Sequence, residues 1–245
     1  MTTKMVGIHQ PNFLPWIGLI HKIAISDLFV VLDDVYYSKN QFQNRNTILT
    51  KNGTVLLSVP VKKNKSNKYL NKIEISYDIN WRKKHLDTLY YSYKGSSNFS
   101  PFFERLEHIY QKENTFLIDL NMDIIKSILD YLNLESQMIF SSDLQVQLGK
   151  TGRLVDICMK LDSDCYIYGG DSSYLEREQF QEKGIKLVSQ NFIHPTYRQN
   201  YSNEFVNNLS IIDWLFQASR QDIRTYFLSE KESFAVEYKK QFTMV

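Results

Sequence analysis

Cysteine is nearly absent from the 245-residue chain, which has two, Cys158 and Cys165. They form no disulfide framework, and their spacing is not the Cys-x-x-Cys of a metal site. Long apolar runs are missing as well, since no stretch approaches the roughly 18 residues that a membrane span needs. The amino-terminal stretch lacks an uninterrupted apolar core, because His9, Gln10 and two prolines break it. The expectation is therefore a protein of a reducing compartment, the cytoplasm. An excess of one charge is lacking too. Twenty-nine basic against 27 acidic residues leave a net +2, which excludes a strongly polycationic nucleic-acid binder. There is no internal repeat and no low-complexity segment. What the chain does have is a 43% hydrophobic and 14% aromatic composition, enough to build a core.

Strand and helix patterns alternate. Residues 5–10 read as a strand. "PWIGLIHKIAISD" then sets Ile17, Ile20, Ile23 and Ala24 on one helical face, with Pro15 near the first turn, where proline is tolerated. "LFVVLDD" is a continuous apolar run, the pattern of a strand covered on both faces. Strand, helix, strand within about thirty residues is a βαβ unit with a right-handed crossover. Asn52-Gly53 between two alternating runs marks a hairpin. "KIEISY" predicts a further strand, "WRKKHLDTLYYSYKG" a helix ending near Gly95, and the stretch from Pro101 to about Leu134 two amphipathic helices. Strands follow at "SQMIFSSDL", "DCYIYGG" and "IKLVSQNF", separated by helices at "TGRLVDICMKL" and "REQFQEKG". "LSIIDWLFQAS" and "RQDIRTYFLS" close the chain as helices. The expectation is a single α/β domain over residues 1–245. It has a mainly parallel, Rossmann-like sheet, a β-hairpin excursion and a helical insertion at residues 96–140.

In a parallel βαβ unit both strands end at one edge of the sheet. His9 and Gln10 thus converge with Asp33 and Asp34, beside the helix that starts near Pro15. Open α/β sheets bind ligands at that edge, and helix starts favour anions. His9, Asp33 and Asp34 are the candidate catalytic residues: an imidazole as base, and one aspartate to orient it or the substrate. A strand-terminating turn at Asp33-Asp34 and a structural role for His9 fit the same letters. "YYSKNQFQNRN" follows that edge with no apolar period. In it Arg45, between Asn44 and Asn46, offers a planar fork and amides for phosphate, carboxylate or sugar hydroxyls, or else simply a solvated loop. Gly169-Gly170 permits close backbone approach to a ligand, with Asp171, Ser172 and Ser173 beyond, or else forms a plain turn. Tyr197 stands in a stretch polar enough to reach the site. Lys62, Lys63, Lys65, Lys68 and Lys72 read as a solvated charge run, His85 as a surface or interface histidine, and both cysteines as core. The spacing gives no metal-ligand set, and no cofactor is expected.

The long opening stretch "IHQPNFLPWIGLIHKIAISDLFVVLDDVYYSKNQFQNRN", the helix start "WRKKH" at 81–85, "GRLVDICMKLDSDCYIYGG" and the late "SIIDWLF" carry a resemblance. Together they resemble the WbqC-like protein family over nearly the whole chain. At the family's motif positions stand His9, Gln10, Pro11, Pro15, Trp16, Asp33, Asp34, Asn44, Arg45 and Asn46. The chain departs from the family's usual pattern at Tyr36, where Gln is common, and after the final "LF", where "QAS" replaces an Asn-Gly pair. The resemblance implies a protein of O-antigen or other surface-polysaccharide gene clusters. By that association it implies an acyl- or aminoacyl-type transferase acting on a nucleotide-linked amino sugar. The donor group would be borne by an acyl carrier protein or coenzyme A. In rhythm the opening βαβ is more faintly similar to nucleotidylyltransferases of the HIGH superfamily, of whose two phosphate-cradling histidines only His9 is present. That similarity implies a nucleotide-binding cleft. A nucleotidyltransferase-like enzyme and a non-catalytic glycan- or partner-binding protein are the alternative readings. Neither a nucleic-acid partner nor a membrane span is expected.

Overall fold

The structure, a computed structural model, describes residues 4–63, 68–146, 149–170 and 172–243. Lys65 and Asp171, both singled out above, lie outside the described residues. In chain order the elements are β1 (Met5–His9), α1 (Ile17–Ile25), β2 (Leu28–Val31), β3 (Arg45–Thr50) and β4 (Gly53–Ser58). Next come α2 (Trp81–Tyr93), α3 (Phe99–Gln111), α4 (Leu117–Leu132), β5 (Gln137–Phe140) and α5 (Lys150–Lys160). Then β6 (Cys165–Tyr168), α6 (Arg177–Glu182), β7 (Lys186–Ser189), α7 (Ile211–Gln217) and α8 (Arg220–Thr243) complete the chain.

Five strands form one parallel sheet in the order β5-β2-β1-β6-β7, while β3 and β4 pair antiparallel as a separate hairpin. The chain winds outward from β1 through β2 to β5, then crosses back over β1 to β6 and β7. This is a doubly wound α/β arrangement whose winding reverses between β1 and β6, the position at which open sheets of this kind take ligands. The expected strand at "KIEISY" reduces to isolated bridges, Ile75 with Val61 and Glu74 with Phe116, because each neighbour offers a single residue rather than a strand. Within the stretch 96–140, α3 and α4 are helical and residues 137–140 are β5, at the edge of the sheet.

Alternation along the strands divides the core. Val6, Ile8, Val30 and Tyr166 face α5 and α6, meeting Leu154, Ile157 and Phe180. Met5, Cys165, Ile167 and Val188 face the other way, against Ile25 of α1 and Phe234 and Tyr238 of α8. Phe29 and Val31 join the larger cluster that α1 and α4 share with the hairpin. At Gly7 an added Cβ would collide with the Ser26 hydroxyl, so the missing side chain is what lets the end of α1 lie directly on β1.

All nine residues of α1 are buried, including His21 and Lys22. The one-sided apolar face expected for this helix is thus only half of its environment. The other half is α8, which packs along α1 and binds the His21 imidazole through Glu230 at 3.0 Å. Each buried isoleucine or leucine of α1 contributes about 1.5–3 kcal/mol, so the helix is held mainly by packing. His85 is also buried, contrary to the surface position expected from its lysine neighbours. It lies against Phe13, Trp81 and Tyr110, and its burial lowers the imidazole to about 4.

The corner between β1 and α1 is held from outside. Leu14 takes a left-handed φ of 40°, and its carbonyl accepts from Asn46 Nδ2 at 2.7 Å. Phe13 N–H donates to Phe42 O at 2.9 Å, and Ile211 N–H donates to Pro15 O at 2.8 Å. Asn121 Nδ2 reaches Pro11 O at 3.3 Å and Gln43 O at 2.8 Å, while Gln43 Nε2 donates to the Gln10 side chain. Three distant segments thus replace the ladder bonds that the prolines forbid. Asn46→Ala leaves the buried Leu14 carbonyl unpaired and is expected to cost about 1–3 kcal/mol. Urea unfolding would show this as a lower midpoint at unchanged slope, and an unshifted midpoint would contradict it.

Candidate functional site

The β1–β2 ladder continues to His9↔Val31, but the β1–β6 ladder stops at Gly7↔Ile167. Along β1 the carbonyls of Met5 and His9 face β2, accepting from Asp27 N and Leu32 N at 3.0 and 2.9 Å. The Ile8 carbonyl, one residue out of phase, therefore faces β6. Its partner is not a strand N–H but the Lys22 ammonium, which donates to it at 3.2 Å. Lys22 is 4% exposed and its Nζ lies 5.5 Å from the centre of the Tyr166 ring. Among the described residues no carboxylate lies within ion-pair distance of it. Burial lowers this lysine from 10.5 to about 7.

His9 ends β1 beside that gap and is half-buried. Its Nδ1 lies 2.7 Å from Gln10 O, so Nδ1 carries the proton and Nε2 presents its lone pair. Burial, and after it the charge of Lys22, lower the imidazole from 6.5 to about 4, against the opposing hydrogen bond to Gln10. The ring is therefore neutral at physiological pH. No hydrogen bond joins Asp33 or Asp34 to it among the described residues, so the backbone of Gln10, not an aspartate, orients the imidazole.

The far wall of the gap is the exit of β6. A Cβ at Gly169 would meet Oε1 of Gln190, whereas Gly170, at φ 63°, has nothing within 4 Å of its Cβ position. Gly170 is thus the residue where the left-handed backbone requires glycine, and it faces open space. Gln190 Nε2 donates to Gly18 O at 2.7 Å and lies 3.0 Å from His21 Nδ1. It ties the end of β7 to α1 behind the gap.

Asp33 is 4% exposed. It accepts from Asn71 Nδ2 at 3.0 Å and Ser142 N at 2.9 Å, with the Ser141 hydroxyl at 3.1 Å. Its carboxylate thereby joins the ends of β2 and β5. Asp34 shares the Ser141 hydroxyl with Asp33 and pairs in addition with the Arg153 guanidinium. Arg153 stands in the first turn of α5, and its Nε is buried without a partner. Tyr36 and Tyr69 stack nearby at 5.1 Å and 14°, both exposed.

The segment after Asp34 divides by strand alternation. Asn44 and Asn46 turn inward, to Val59 O at 2.9 Å and Leu14 O at 2.7 Å. Arg45, partly exposed at the start of β3, faces away from them, near Tyr37. The Tyr37 hydroxyl is buried without a partner, and burial raises it to about 12. Tyr197 donates to Asp213 Oδ2 at 2.8 Å and stacks on Trp214 at 5.5 Å, so its hydroxyl is committed to α7. A concavity of ≈ 470 Å³, lined by Arg198, Gln199, Asn203 and Phe205 among others, opens on that segment.

The edge therefore collects His9, Gln10, Asp33, Asp34, Gly169 and Gly170, together with Lys22, Ser141, Arg153 and Gln190, which sequence reasoning missed. Two signals stood in the letters. Lys22 interrupts an apolar helix between two buried strands. Arg153 puts a cation in the first turn of a helix, where the backbone dipole disfavours it unless it is paired. Among the described residues no group of three or more His, Cys, Asp or Glu side chains could hold a metal ion. Burial pushes both thiols, Cys158 and Cys165, up to about 12, which leaves them protonated and poor nucleophiles.

Lys22→Met removes the second cause of the His9 shift and leaves the first. The His9 ring should then titrate above about 4 and still below 6.5, as read from its ring-proton resonances. An unchanged midpoint would contradict the coupling. A lysine lowered in the fold holds its proton more weakly than in the unfolded chain, so wild-type stability should rise relative to Lys22→Met between about pH 7 and 10.5. Parallel pH profiles of the two chains in denaturant titrations would contradict the buried charge.

The chain matches the model of the WbqC-like protein family over residues 10–225. It is also similar to Rv1507c, an uncharacterized protein of Mycobacterium tuberculosis, at 30% identity over 222 residues, 89% of this chain and 95% of that protein. No solved structure matches it. The matched residues begin at Gln10, just after β1, and run through the other strands of the parallel sheet into α8, and the chain belongs to the WbqC-like protein family.

Proposed function

We propose that this protein is a transferase that moves an acyl or aminoacyl group onto a nucleotide-linked amino sugar, with His9 as general base. The observation that carries this reading is the neutral His9 imidazole, fixed through Nδ1 with Nε2 unpartnered among the described residues, at the reversal point of a doubly wound sheet. That reversal point is where such sheets take nucleotides. The amine nitrogen attacks the carbonyl carbon of a thioester borne by a carrier protein or coenzyme A. As the C–N bond forms, Nε2 takes the amine proton. The C–S bond then breaks, and the thiolate recovers that proton from the imidazolium. Asp33 is a positioning residue that holds the β2 and β5 exits in register, while Asp34, with Arg153, and Gln10 face the sugar. Arg45 and the inward Asn44 and Asn46 shape the adjoining wall.

Surface-glycan biosynthesis is the setting that fits this chemistry, by association with the family. The test is a panel of nucleotide-linked amino sugars and acyl thioesters, with amide formation followed by mass spectrometry. His9→Ala should fold normally and lose about 10²–10⁴-fold in rate. Turnover at the wild-type rate would remove His9 as base. Pyrophosphate release from a nucleoside triphosphate, with no amide formed, would replace the reading with nucleotidyl transfer.

A further inference from the structure

We infer that the gap between the carboxyl ends of β1 and β6 is an anion subsite for the phosphate or diphosphate of the substrate, with the Lys22 ammonium as its counter-charge. This rests on the nucleotide-linked substrate proposed above and identifies the part of it that the protein grips. Three observations combine. The β1–β6 ladder ends at Gly7↔Ile167, one residue short of the Ile8 carbonyl that Lys22 occupies, so the ammonium stands where the two strands part. An ammonium has three N–H donors, and one acceptor is accounted for. The side chain is 96% buried, given its 4% exposure, and among the described residues no carboxylate pairs with it.

A buried, unpaired cation is unfavourable until something anionic arrives. The groups facing it are the neutral His9 imidazole and the Tyr166 ring, and neither supplies a negative charge. The wall opposite is the exit of β6, where Gly170 has open space at its Cβ position, so a group with several oxygens can approach the backbone there. An anion held against Lys22 has a second effect. It cancels the charge that depresses His9, making Nε2 a stronger base when substrate is bound. The titratable groups at the gap are Lys22 from α1, His9 from β1 and Tyr166 from β6.

The test is calorimetric titration of the full chain with pyrophosphate, with uridine diphosphate and with uridine. Wild type should bind the first two and not uridine, with the diphosphate of the nucleotide tighter than free pyrophosphate. Lys22→Met, with an unchanged far-ultraviolet spectrum, should bind both at least tenfold more weakly. Should that variant fail to fold, the wild-type chain gives the answer alone: pyrophosphate must move the His9 ring-proton resonances, and uridine must not. The inference is overturned if wild type binds neither diphosphate, if Lys22→Met binds them as wild type does, or if His9 resonances ignore pyrophosphate. Its failure is distinct from that of the transferase reading. Diphosphate binding through Lys22 without amide formation keeps the subsite and removes the transferase. Amide formation by Lys22→Met at unchanged KM removes the subsite and keeps the transferase.

Discussion

The hydrogen bond from Lys22 to the Ile8 carbonyl is the contact around which the rest of this edge is arranged. A strand N–H in that position would continue the sheet and close the space between β1 and β6. The lysine ends the ladder instead, and it does so with a charge that burial disfavours. Lowering an ammonium from 10.5 to about 7 corresponds to a cost on the order of several kcal/mol. The surrounding fold bears that cost through the complete burial of α1 between the sheet and α8. A charged group kept at such expense beside a neutral imidazole has the character of a site, since structural burial alone would be served as well by methionine.

The remaining polar side chains near the edge fix its shape. Asp33 clamps the exits of β2 and β5, Gln190 clamps β7 to α1, and Asn46 and Asn121 hold the proline corner. Each is tied to backbone or to neighbouring side chains, which makes the walls stiff, with Asn121 Oδ1 alone among these four left buried and unpaired. Beside the β1–β6 gap, among the described residues, free capacity remains at Nε2 of His9 and at the remaining donors of Lys22, while Nε of Arg153, the partner of Asp34, is also unpaired. Binding capacity on rigid elements, supported by satisfied neighbours, is the arrangement that positions a reacting group accurately.

Much of the architecture was legible in the letters. The strand-helix-strand rhythm of the first thirty or so residues, the Asn52-Gly53 hairpin and the later alternation lead to a parallel sheet, because apolar periodicity reflects burial directly. The convergence of His9 with Asp33 follows from parallel pairing alone. What was not legible depends on distant packing. Nothing local in "IGLIHKIAI" says that α8, some two hundred residues later, covers its outer face and takes His21 through Glu230, or that Lys22 turns inward to the Ile8 carbonyl. Nor does "QNRN" announce that β3 begins at Arg45, which turns Asn44 and Asn46 inward and Arg45 outward. Tyr197 read as free to reach the site, whereas Asp213, itself fully buried, takes its hydroxyl.

Substrate grip and proton transfer both depend on one location, the gap between β1 and β6. A crystal structure of the chain soaked with a nucleotide-linked amino sugar tests it most directly. Density for the diphosphate should lie within hydrogen-bond distance of Lys22 Nζ, with the amine turned toward His9 Nε2. Ordered ligand elsewhere, as in the concavity beside Arg198 and Asn203, with the β1–β6 gap unchanged, would contradict it.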